Sequence, residues 1–321
     1  MRRRTFLAGL GSAAAASPLR AQAQSPKAPR IGVLVLGNPD PEVFYAQFRK
    51  ALGELGYVDG QNIRFDFRSA GGRLEHLTDL AADLVREKVD LIVGWQTPTV
   101  TAASRATRDI PIVMAGVGDP LGTGLIQSLS RPGGNITGVS GAAGEVAGKN
   151  VELIKEMMPS AKVVAALCNA RDPFAKPFLE YVQQAGRAVG LVIKPLMLSG
   201  GQEMESAFAT LDKDPVDAVI IQPSLLSAGS AALPLKHKLP AVSPIIQFTE
   251  SGGLLSYSGN LQHLYREAAS YVDRILKGAN PSDLPVTQPT KFEIAVNLKT
   301  ARALGIEIPP TLLARADLVI E

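Results

Sequence analysis

The 321 residues are enough for two domains with separate cores, and a composition 46% hydrophobic and 20% charged excludes a disordered chain. The formal charge of +3 overstates the basic character. Arg2, Arg3, Arg4 and Arg20 lie in a segment that reads as removable, and from Gln24 onward 29 basic residues face 30 acidic ones, a net charge of −1 that excludes a basic footprint for nucleic acid.

Residues 1–23 carry the three parts of an export signal: a basic start, a mildly apolar stretch from Phe6 to Ala16, and the small-x-small site Ala21-Gln22-Ala23. The apolar stretch is well short of the roughly 20 residues that span a bilayer. Paired arginines before Thr5-Phe6-Leu7 resemble a twin-arginine signal, and both that route and the Sec route are open. Cleavage near Ala23 and residence in the periplasm are expected. Cys168 is the only cysteine, which excludes an intramolecular disulfide.

Beyond a short Pro-rich linker, Arg30 to Leu36 is a continuous apolar run, the pattern of a strand buried on both faces of a parallel sheet. A turn at Asn38-Pro39-Asp40-Pro41 leads into a helix with Phe44, Phe48, Ala51, Leu52 and Leu55 at helical spacing, stopped by Gly56. The unit repeats through strands at Asn62–Arg68, Asp90–Gly94, Ile110–Val117 and Ile136–Ser140, with helices marked by Leu74 to Val85 and by the residues after Pro98. A helix over residues 145–158 follows. The pattern then restarts with strands at Lys162–Leu167, Leu191–Leu196, Val216–Gln222 and Ala241–Ile246, and helices near 174–189, 202–213 and 227–238 between them. Asn260–Lys277 presents Leu264, Tyr265, Ala268, Ala269 and Val272 on one face of a helix closed by Gly278 and Pro281. The tail from Lys291 is too short for a third domain.

Alternation of this kind implies right-handed βαβ crossovers. The fold expected is α/β: two Rossmann-like lobes with parallel sheets joined by a multi-crossing hinge. Residues 24–142 and 250–283 are assigned to lobe 1, and 143–249 and 284–321 to lobe 2.

Ligands bind outside the carboxyl ends of parallel strands, where loops converge and helix N-termini point outward. That rule selects Asn38, Gln96, Thr97, Thr99, Asp119 and Ser140 in the first lobe, and Asn169, Asp172, Gln222 and Phe248 in the second. Thr97 and Thr99 stand where a helix begins and suit either an anionic group or a plain cap. Asp119, in the Gly-Asp-Pro turn, suits a ligand ammonium or an Asx turn. Asn169 and Asp172 suit ligand contact or helix initiation, and Phe248 and Tyr257 an apolar wall or core. Trp95, the only tryptophan, suits either use.

No G-x-S-x-G, H-E-x-x-H or P-loop pattern is present, and His76, His237 and His263 are scattered over separate helices or their ends. No catalytic or metal-ligating residue and no cofactor is therefore assigned. A binding protein that feeds a transporter and one that signals to a membrane receptor read alike in sequence.

The stretches Phe48–Asn62, Leu77–Val93, Ile110–Gly138, Tyr271–Leu284 and Gln288–Ile320 resemble the ABC transporter substrate-binding proteins that include tryptophan- and aromatic-amino-acid-binding members. GVGDP, RPGGN and PTKFEIAVNLKTARALG carry the resemblance most specifically. It implies a type I periplasmic-binding-protein fold, capture of a small organic ligand between the lobes by hinge closure, and partnership with an ABC permease and ATPase. An amino acid, with an aromatic side chain as one option, is the ligand it suggests, and a monomer is expected.

Overall fold

In a computed structural model, residues 28–37, 41–227 and 229–321 are described, so the signal segment and Asn38 lie outside them. The first lobe runs β1 (Arg30–Val35), α1 (Pro41–Glu54), β2 (Arg64–Ser69), α2 (Leu77–Arg86), β3 (Leu91–Trp95), α3 (Thr97–Ala106), β4 (Ile112–Val117) and β5 (Ile136–Ser140). Its sheet has the order β2-β1-β3-β4-β5 and is parallel throughout, with Ile31 opposite Leu91 and Ile92 opposite Ile112. β3 is buried at every position, as expected of a central strand covered on both faces, and β5 at the edge is equally buried because Thr287 bridges to Val139 along its outer side. β2 is an edge strand with a mixed polar pattern, and Arg30 holds it by a bond from Nε to Asp66 at 3.0 Å.

The second lobe contains α4 (Ala143–Met157), β6 (Val163–Asn169), α5 (Ala175–Ala188), β7 (Val192–Leu198), α6 (Met204–Leu211), β8 (Ala218–Ile221), α7 (Ala232–Lys236), β9 (Ala241–Val242), α8 (Ile246–Glu250) and β10 (Leu255–Gly259). After α9 (Leu261–Leu276) come β11 (Phe292–Asn297), α10 (Leu298–Leu304), α11 (Pro310–Leu313) and β12 (Leu318–Ile320). The sheet order is β12-β11-β10-β9-β8-β6-β7. It is mostly parallel, not wholly so as expected, because β11 runs antiparallel to β10.

Two boundaries need correction. β10 pairs with β9 and β11, so residues 255–259 belong to the second lobe, although 250–283 was assigned to the first. From that stretch α9 returns, packing on α1, β4 and β5, and so does the short turn at Pro281–Asp283, which packs on β5. Conversely, Thr287 donates its amide to Gly138 O at 3.1 Å and accepts from Ser140 N at 2.8 Å, which keeps it beside β5 rather than in the second lobe from 284 onward. The sequence hid β10 because Ser256, Ser258 and Gly259 follow Gly252-Gly253 and read as a turn.

The chain thus crosses between lobes near residues 140–143, 259–261 and 288–291. One apolar cluster runs through this hinge without a break, from Phe44, Phe48 and Trp95 through Tyr265 to Ile245 and Phe248. Each fully buried side chain of this size contributes about 1.5–3 kcal/mol. α9 is fixed at its start by Asn260, whose side chain accepts from His263 N at 2.7 Å.

Candidate functional site

The carboxyl ends of both sheets face a cleft of about 770 Å³, a volume that includes its opening to solvent. From the first lobe it is lined by Trp95, Gln96 and Thr97 at the β3–α3 junction and by Gly116 and Gly118 after β4. Asp172, Phe174, Phe178 and the segment Gln222-Pro223-Ser224 line it from the second lobe, with Ile245, Ser258, Leu261 and Leu264 at the hinge end. The walls are mainly apolar. No lysine, arginine or histidine is among these lining residues.

The β3–α3 junction is tightly built. Gln96 adopts a left-handed φ of 72°, unusual for a non-glycine residue, and so turns the chain sharply into α3. A Cβ on Gly94 would stand 2.7 Å from Val100 Cγ2 and 2.8 Å from Thr99 Oγ1, so glycine is required for the helix to start this close to the strand. The Thr99 hydroxyl donates to Trp95 O and Gln96 O, both at 2.9 Å, and closes its own turn out of reach of the cleft. Thr97 Oγ1 accepts from Gly118 N at 3.1 Å and ties this turn to the loop after β4. The first amides of α3 open toward the cleft with the positive end of the helix dipole.

Across the cleft, Asp172 is 5% exposed. Its Oδ1 accepts from Phe174 N at 2.9 Å and its Oδ2 from Gln222 Nε2 at 2.7 Å. Gln222 is oriented in turn by Asn169, whose amide donates to Oε1 at 2.9 Å, and Asn169 Nδ2 donates to Ser224 O at 3.3 Å. Burial pushes the Asp172 carboxyl up to about 6, against the lowering effect of hydrogen bonds from Ser224, the Phe174 amide and Gln222. The carboxylate is oriented by neutral donors and faces a cleft that offers it no cationic side chain. Burial, with the Asp172 charge beside it, pushes the Cys168 thiol up to about 12, so that residue is an inert part of the core.

The two lobes meet at the rim. Tyr181 on α5 donates its hydroxyl to Asp119 Oδ2 at 2.6 Å, and Asp119 Oδ1 accepts from Gly122 N at 2.8 Å. That bond, followed by burial, pushes the Tyr181 phenol up to about 12. The Phe174 ring lies against Gly118, where a Cβ would stand 2.8 Å from it. Arg171 and Glu75 form a half-exposed ion pair at 3.6 Å elsewhere along the rim. These contacts join the first lobe to the second, so the conformation is closed.

The sequence-selected residues divide accordingly. Gln96, Thr97, Asp172 and Gln222 share the cleft, whereas Asp119 and Ser140 line an adjoining cavity of about 590 Å³ with Tyr181 and Glu145. Asp119, read as suiting either a ligand ammonium or a local turn, accepts from Gly122 N within its own loop and from Tyr181 across the rim. Thr99 and Asn169 are buried supports, and Phe248 lies in the core with its ring against Gly253 rather than in the cleft wall. Tyr257 is stacked on Phe292. The walls that sequence reasoning missed are Phe174, at the N-cap of α5, and Phe178, in its first turn, just after the strand-end loop. Their spacing of four residues was the available signal.

A family model described as ABC transporter substrate binding protein matches residues 31–320. The chain belongs to that family. Proteins of this family bind a small molecule outside the cytoplasm and work with an ABC permease; the family is one of binding proteins rather than enzymes. A tyrosine-binding protein of Clostridioides difficile (strain R20291) is 30% identical over 288 residues, covering 88% of this chain and 83% of that protein. Among solved structures, the ABC domain from Streptococcus pneumonia in complex with L-Trp is 30% identical with a TM-score of 0.81, covering 91% of this chain and 99% of that one. A ligand-free, open substrate-binding protein with adhesive properties from Clostridium difficile is 25% identical and covers 91% and 99%, but its TM-score is 0.63. The higher score with the ligand-bound relative agrees with the closed rim described above. The type I lobed fold expected from sequence is the fold found. Among the described residues no helix is long and apolar enough to cross a membrane.

Proposed function

We propose that this protein captures an amino acid with an apolar, aromatic side chain outside the cytoplasm and presents it, lobes closed, to an ABC permease. One observation carries the reading. Asp172 is a buried carboxylate at one side of an otherwise uncharged, mainly apolar cleft, and a ligand ammonium supplies the charge partner that the lining residues lack. The ligand carboxylate is received by the first amides of α3 and the Thr97 region, and Trp95, Phe174 and Phe178 enclose the side chain. Gln96 and Gln222 complete the polar set. Because the ligand touches both lobes, it binds the closed form preferentially and shifts the population toward it.

Calorimetry and thermal shift with amino acids, aromatic acids lacking an amine, purines and sugars test the proposal. Stabilisation by aromatic amino acids and not by their deaminated analogues is expected. Stabilisation by sugars alone would sink it. We propose further that residues 1–23 direct export and are removed after Ala23, for which N-terminal sequencing of the exported protein is the check.

A further inference from the structure

β10 alternates across its sheet. Tyr257 points to one face and stacks on Phe292, while Ser256 and Ser258 point to the other. Both hydroxyls are buried and neither Oγ has a hydrogen-bond partner among the described residues. Only Ser258, at the carboxyl end of the strand, lines the cleft, and it is 3% exposed there. Around it the hinge end of the cleft is apolar, built from Ile245, Leu261 and Leu264. A hydroxyl left unpaired in such a wall is unfavourable unless a ligand completes it.

Asp172 follows β6, and β6 is separated from β10 by β8 and β9, three strand spacings or about 14 Å. An amino acid whose ring carries a polar atom spans about 5–8 Å from its amine to that atom, and a hydrogen bond of about 2.8 Å at each end brings the total to the same scale. From this juxtaposition we infer that Ser258 is the specificity-determining residue of the cleft: it hydrogen-bonds a polar atom on the ligand's aromatic ring, a phenolic hydroxyl or an indole N–H. This rests on the amino-acid reading above and narrows it. A plain phenyl ring leaves the hydroxyl unpaired and is disfavoured.

Calorimetry of the full mature chain with tyrosine, tryptophan and phenylalanine, on wild type, Ser258→Ala and Ser256→Ala, tests the inference. Wild type is expected to bind tyrosine or tryptophan at least about tenfold more tightly than phenylalanine. Ser258→Ala reduces that preference below about threefold by weakening the polar ligand while phenylalanine affinity holds or rises. Ser256→Ala, off the cleft, leaves the preference intact. The tyrosine and tryptophan arms separate the phenol from the indole as the group recognised. Equal wild-type affinity for all three, or full preference retained in Ser258→Ala, overturns the assignment of Ser258 alone. Binding of none of the three overturns the amino-acid reading, and this inference with it.

Discussion

If Asp172 receives an ammonium, affinity must depend on pH through that one carboxyl. With its value in the closed, unliganded cleft at about 6, the residue is ionised at pH 7 and mostly protonated at pH 5. A cation then has to displace a proton before it binds. The factor by which affinity falls is one plus ten raised to the difference between 6 and the pH, which is about 1.1 at pH 7 and about 11 at pH 5, or roughly 1.4 kcal/mol. The ligand's own carboxylate and ammonium keep their charges over this interval.

Calorimetric titration of wild type at half-unit steps from pH 7 to pH 5 should trace this curve. Asp172→Asn should bind about ten- to a hundredfold more weakly at pH 7, with no further loss on acidification. The free protein responds with the opposite sign. A folded value raised above the ordinary one means that the folded state holds the proton more tightly between about pH 4 and 6, so Asp172 costs about 2–3 kcal/mol at neutral pH, and that cost is relieved as the pH falls through 6. Ligand should therefore raise the melting temperature more at pH 7 than at pH 5. A wild-type Kd that is flat from pH 7 to pH 5, or the same slope in Asp172→Asn, would refute the reasoning.

Three substitutions examine the closed geometry and the sheet. Tyr181→Phe removes the donor to Asp119 across the rim; a three- to tenfold rise in Kd is expected, about 0.5–1.5 kcal/mol, through faster dissociation in stopped-flow traces. An unchanged dissociation rate would deny the rim bond a part in closure. Gly118→Ala places a methyl group against the Phe174 ring, so ligand should no longer compact the protein in small-angle scattering and Kd should rise at least about tenfold; compaction equal to wild type contradicts this. Gly138→Ala puts a side chain at φ 127° and 2.6 Å from Met114 N, where β5 pairs with β4 in the first sheet. A loss of about 3 kcal/mol or more in urea unfolding is expected, and a wild-type midpoint would show that the β4–β5 spacing can relax.

The alternating architecture was legible because parallel strands write themselves as apolar runs, and β1, β3, β5, β6 and β8 each stand close to where the run predicts. β10 was not, since its inward positions carry serine and glycine rather than a hydrophobic pair. The strand-end rule found Gln96, Thr97, Asp172 and Gln222, all at one cleft. It could not distinguish Asp119 from them. What separates Asp119 is a partner 62 residues away on the facing lobe, and no local pattern announces a contact of that range. Phe248 and Phe174 illustrate the same limit in reverse. Both are aromatics just beyond strand ends, and only the direction each helix takes from its strand decides that one enters the core and the other the cleft wall.

The three connectors of the hinge have a bearing on engineering. Because α9 and the Thr287 segment complete the first lobe only after β10 has been laid down, neither lobe corresponds to an uninterrupted stretch of the gene. Chimeras that exchange a lobe with a relative must splice at residues 140–143, 259–261 and 288–291 together. A junction placed at any one of them alone would graft a fragment whose sheet lacks its covering helix or its last strands.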